Sequence, residues 1–109
     1  MIRGEEAHIE PDVVTGTFLL NNHYAFVLFD TGASKSFVST TFRHLIELEP
    51  NKLRDAYTVE LADGKLIRAD EVIPNCILSL DDYDFKIYLV PVQLGGFDVV
   101  VGMDWLGRN

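Results

Sequence analysis

Apolar residues along this chain fall into short runs, some alternating with polar residues and some continuous, and turn-forming residues separate them. That is the pattern of an all-β domain. Residues 13–20 and 24–29 read as two strands joined through Asn21-Asn22-His23, where asparagine tolerates the left-handed backbone of a tight hairpin. After Asp30-Thr31-Gly32, residues 39–46 offer Ser39 as a helix cap and apolar positions at Phe42, Leu45 and Ile46, which predicts a short helix. From Tyr57 the chain alternates, with Tyr57, Val59 and Leu61 on one face and Thr58 and Glu60 on the other. Ala62-Asp63-Gly64-Lys65 then carries Asp-Gly, a strong hairpin signal. The return strand is expected from Leu66 to about Val72, with Pro74 as an edge or a break. A further pair, 76–80 and 85–92, is joined by residues 81–84. The chain closes with Gly95-Gly96, an apolar run 97–102, and a last turn at Met103-Asp104-Trp105-Leu106 that begins a second short helix.

There is a faint internal repeat. A hairpin feeding a strand that ends at Asp30-Thr31-Gly32 is answered by a hairpin feeding Val99-Val100-Val101-Gly102, each followed by a candidate helix. This suggests two related halves whose glycine-terminated strands meet near the centre.

Composition narrows the class. A length of 109 residues fits one domain, taken as 13–109 after an N-terminal extension, 1–12, expected to be flexible. Hydrophobic residues at 48% and charged residues at 24% predict a folded chain. No apolar run approaches the roughly 20 residues of a membrane helix, and the first residues lack the apolar stretch of a secretory signal. An intracellular, cytoplasmic protein without membrane partners is therefore expected. Cys76 is the single cysteine, read as a small buried hydrophobe. With His8, His23 and His44 scattered, no metal-ligand spacing is present, and no cofactor is expected. A net charge of −8, with basic residues dispersed, argues against a nucleic-acid partner.

The candidate chemistry lies in Leu28-Phe29-Asp30-Thr31-Gly32-Ala33-Ser34. An aspartate at the end of a strand apolar on both faces is costly when ionised unless its carboxylate is hydrogen-bonded. For an isolated Asp-Thr-Gly, a plain turn is the usual explanation. Here the tripeptide follows a hairpin and an apolar strand and precedes a serine-rich segment, and a late apolar-apolar-Gly run completes the order. Trp105 reads as packing, and Asp81, Asp82 and Asp84 as a solvated turn lacking the spaced ligands of a calcium loop. His23 and His44 have no partner that would make them bases.

Across 13–106 the sequence resembles the retropepsin family, most closely the proteases of Ty3/Gypsy-type retrotransposons. The resemblance rests on the Asp30 segment, on Leu61-Ala62-Asp63-Gly64, and on Val100-Val101-Gly102-Met103-Asp104-Trp105-Leu106. It implies a closed β-fold with one or two short helices, one half of a two-fold dimer. It implies Asp30 as the catalytic aspartate, Thr31 as the residue bracing the partner's loop, and Gly32 as the glycine that lets substrate approach. Ala33, Ser34, Ala62, Asp63 and Gly64 become substrate-binding residues, with Ala62-Asp63-Gly64-Lys65 at the tip of a flap over the bound peptide. Residues 97–102 become the central strand behind the catalytic loop.

Two carboxylates sharing one proton are needed for this chemistry. No other aspartate here is followed by Thr-Gly or Ser-Gly, so the second must come from another copy across a two-fold axis. Many retroviral relatives have Asp where this chain has Ser34 and Arg where it has Met103, which implies a different way of holding the interface. The short run past Leu106 to Asn109 implies weak dimerisation. The expected function is an endopeptidase acting on a retroelement polyprotein, in the cytoplasm or within retrotransposon particles. The alternative is a non-catalytic dimerisation or peptide-binding module. Phosphoryl transfer is disfavoured, because no phosphate loop or set of metal-binding carboxylates accompanies Asp30.

Overall fold

A computed structural model of the protein describes residues 13–60 and 64–108. The N-terminal extension 1–12, the predicted flap residues Ala62 and Asp63, and Asn109 lie outside the described residues. Seven strands come in the order β1 (Val13–Leu20), β2 (His23–Asp30), β3 (Phe37–Ser39), β4 (Asn51–Glu60), β5 (Leu66–Leu80), β6 (Tyr83–Val92) and β7 (Val99–Val101). A 3-10 turn, Phe42–Leu45, follows β3, and one short helix, α1 (Met103–Leu106), follows β7. Among the described residues no helix is long and apolar enough to cross a membrane.

The turns form where the sequence places left-handed backbone. Asn21 and Asn22 have φ of 49° and 69°, and Asp81 and Asp82 have 47° and 71°. Two consecutive residues of positive φ match the right-handed twist of the flanking strands. Both hairpins are thereby tighter than the residue runs suggest, so β2 starts at His23 and β6 at Tyr83.

Six strands close on themselves. The ladder runs β1-β2-β7-β3-β6-β5, and β5 returns to β1 at Leu19 and Leu20. The glycine-terminated strands do meet: Val27, Leu28 and Phe29 pair in parallel with Val99, Val100 and Val101. β7 thus lies between β2 and β3, the two strands that flank the Asp30 turn. β4 pairs with the first half of β5.

Alternation distributes one set of strands over two cores. Val27, Val38, Ile73, Leu89, Val99 and Val101 face the interior of the ring with Phe42, Ile46 and Trp105. Phe37, Val90, Val92 and Val100 face the other way and join Val59 and Ala69 of the β4–β5 hairpin. That second cluster seats the hairpin against the face of the sheet that carries the candidate site.

Three elements depart from the sequence reading. Pro74 does not end a strand: β5 runs through it by a bulge, since Ile73 pairs with Leu89 and Cys76 with Ile87, leaving one extra residue on β5. Asn75 adopts φ 62° there, and a bulge is one of the few places where proline suits a sheet. The helix predicted over 39–46 is a single 3-10 turn whose N-cap position is Thr41 and not Ser39, although the Ser39 hydroxyl accepts the Phe42 N–H at 2.9 Å. β4 begins at Asn51, six residues before the alternation, and its pairing slips between Lys52 and Tyr57.

Candidate active site

Asp30 is the last residue of β2, half-buried where the strand turns away. Its Oδ1 accepts the Gly32 N–H at 2.8 Å, and its carbonyl accepts the Ala33 N–H at 3.1 Å. The side chain is thus clamped to its own turn, which holds a carboxylate in one orientation. Thr31 and Gly32 are exposed at the tip.

The turn rests on the far end of the chain. The Ala33 carbonyl accepts the Met103 N–H at 2.8 Å. Ser36 is wholly enclosed; its Oγ accepts the Gly102 N–H at 3.0 Å and donates to Asp104 Oδ1 at 2.7 Å. Asp104 Oδ2 accepts the Ser36 N–H at 3.2 Å. Glycine is required at position 102 by close approach, because a Cβ there would run into the carbonyl oxygens of Ala33 and Lys35. Ser36 and Asp104 were not singled out by the sequence reading. Each is a polar residue shortly after a glycine-terminated motif, Ser36 after Asp30-Thr31-Gly32 and Asp104 after Val101-Gly102, with no spacing to join them.

A cleft of about 640 Å³ opens over Asp30. Its floor is Leu28, Ala33, Phe37 and Val100, with Gly32 beside Asp30. Leu94, Gly95 and Phe97 form one wall, and Glu60 and Lys65 of the β4–β5 hairpin overhang it. The lining thus combines apolar side chains with the carboxylates of Asp30 and Glu60 and the ammonium of Lys65.

Of the residues singled out in sequence, Asp30, Gly32 and Ala33 come together in this cleft. Ser34 is exposed and is not among its lining residues. Gly64, with φ 87°, sits in the hairpin turn, in a backbone conformation that favours glycine. Ala62 and Asp63 fall outside the described residues. Met103 is 43% exposed beside the turn. Trp105 is buried edge-on to Phe85, with ring centroids 5.3 Å apart, and Asp81, Asp82, Asp84, His23 and His44 are exposed.

The profile of the retroviral aspartyl protease family matches residues 1–109. No curated protein is matched. Among solved structures, EIAV protease in complex with the inhibitor HBY-793 superimposes with a TM-score of 0.67 at 17% identity, over 94% of this chain and 92% of that one. The retroviral protease-like domain of Ddi1 from Leishmania major gives 0.61 at 15% identity, over 91% and 78%. Protein Lpg0085 of Legionella pneumophila, of unknown function, gives 0.53 at 13% identity, over 86% and 84%. At these identities the structural likeness is one of fold.

Proposed function

The chain belongs to the retroviral aspartyl protease family, and on that premise we propose that it is an aspartic endopeptidase, active as a homodimer with Asp30 as its catalytic carboxylate. The observation that carries the reading is the Asp30 turn itself: a carboxylate pinned by the Gly32 N–H in a cleft also lined by Leu28, Phe37 and Val100. One carboxylate alone does not suffice. In the reaction one Asp30 takes a proton from water, which attacks the peptide carbonyl, while its protonated twin donates to the carbonyl oxygen. The first carboxyl then gives the proton it took from water to the amide nitrogen as the C–N bond breaks, and a hydroxyl of the tetrahedral intermediate returns a proton to the twin, which restores the shared proton. Two like charges held close favour one shared proton, so activity is expected to lean to acid and to fall once both carboxylates ionise.

The substrate we assign is an extended segment of a retroelement polyprotein, cut inside the cell that makes it. Thr31, exposed at the tip of the turn, supplies the hydroxyl that braces the partner's loop. Gly32 and Ala33 offer backbone to the substrate from below. Ala62, Asp63, Gly64 and Ser34 are assigned to substrate binding as well.

Self-processing tests this. A longer precursor that contains this domain is expected to release it, and Asp30→Asn is expected to abolish the cut. Equal cleavage of both proteins, or cleavage of neither in any buffer from acid to neutral, would reject the enzyme and leave a non-catalytic member of the fold.

A further inference from the structure

The outward face of β2 continues past the cleft. Asp30, Leu28, Phe26 and Tyr24 share that face at two-residue steps. The first two line the cleft, while Phe26 and Tyr24 beyond it are 41% and 74% exposed. Phe26 is nevertheless fixed. Its ring stacks on Phe97, with centroids 4.9 Å apart and planes 18° apart, and Phe97 is itself a wall of the cleft. The backbone locks the pair: the Asp98 N–H donates to the Phe26 carbonyl at 2.9 Å, and Asp98 Oδ2 accepts the Phe26 N–H at 2.8 Å.

A single exposed aromatic ring on a protein surface calls for no explanation. A stacked pair held by two backbone-directed hydrogen bonds, and continuous with a cleft, is a preorganised apolar surface. Its distance from Asp30 follows from register. Phe26 is four residues up β2, roughly 13 Å at about 3.3 Å per residue. Phe97 precedes β7 and, stacked on Phe26, lies beside it. An extended peptide covers that span in about four or five residues, fewer where its side chain leans.

We propose that the Phe26–Phe97 stack is a distal subsite of the cleft that takes an aromatic side chain of an extended peptide, three to five residues from the bond to be cut. The floor leading to it, Leu28 and Val100, carries no charge, and the ring faces and edges of the stack suit another aromatic ring. The inference rests on the endopeptidase reading, which sets the scissile bond at Asp30.

The test separates binding from turnover by using the Asp30→Asn protein. The probes are short peptides with a central Leu–Leu pair and either Phe or Ala placed three, four or five residues to one side. Phe at one of these positions is expected to tighten binding about five- to tenfold. Adding Phe97→Ala or Phe26→Ala is expected to erase that preference, and Phe97→Leu to restore it in part, with circular dichroism checking that each variant is folded. Equal binding of the Phe and Ala peptides, no binding of any of them, or a preference that survives both substitutions overturns the subsite. So does a change in sedimentation without a change in peptide preference, which assigns the stack to a contact between copies. Unsubstituted protein that shows the preference but cuts no peptide sinks the endopeptidase and leaves the subsite standing.

Discussion

Both oxygens of the Asp104 carboxylate engage Ser36, one through its hydroxyl and one through its N–H. Removing the carboxylate leaves a buried hydroxyl and a backbone donor without that acceptor, and such groups cost about 1–3 kcal/mol. Asp104→Ala is therefore expected to lower unfolding stability by about 2–3 kcal/mol in a urea titration, with Asp104→Asn losing less because it keeps an oxygen acceptor. Cys76 is a second case. Burial in β5 pushes its thiol from 9.0 up to about 12. Because the folded pKa is the higher one, this contribution to stability is complete below pH 9.0 and is lost as pH rises towards about 12. Iodoacetamide is accordingly expected to label Cys76 only at the rate of global unfolding near neutral pH; rapid labelling of native protein would contradict the burial. Cys76 was legible from sequence because a lone cysteine at the start of an apolar run has few other readings. Ser36 and Asp104 were not, since a bond across 68 residues leaves no local trace.

Among the elements, hairpins were the most readable, because left-handed turn residues advertise themselves. Asp81 and Asp82 carry both positive φ and two adjacent like charges. Asp82→Gly relieves the first and halves the second, and is expected to raise the thermal midpoint, corresponding to roughly 0.5–1 kcal/mol. At Asn75, φ 62° in the β5 bulge, glycine is expected to be tolerated and alanine to cost about 1 kcal/mol. Equal stability of the two Asn75 variants would mean that the bulge relaxes. The misreadings share a cause. Pro74 signals interruption, yet a bulge absorbs it while the ladder resumes at Cys76. The start of β4 at Asn51 is invisible to periodicity, because Asn51 and Lys52 are exposed and join through backbone alone.

At the scale of the whole molecule, the all-β class followed from alternation and turns, whereas the closed ring was expected only from the family resemblance and its two cores were not foreseen; closure between β1 and β5 depends on register that no single segment encodes. Assembly is where charge enters. Two chains of net charge −8 carry about −16 in a dimer, and exposed like charges repel less when screened by salt or neutralised by protons. Sedimentation is expected to show tighter association at lower pH and at higher ionic strength. A dimer fraction indifferent to both would assign its strength to apolar contacts instead.

β7 is wedged between β2 and β3, yet it is translated some 70 residues after β2. A ribosome-bound chain that has exposed only its first half holds the Asp30 turn without the strand and helix that steady it. Formation of the wedge, a long-range event, is expected to be a slow step in folding. Order of synthesis thereby sets order of assembly, since the Asp30 turn gains its support only after β7 and α1 have emerged.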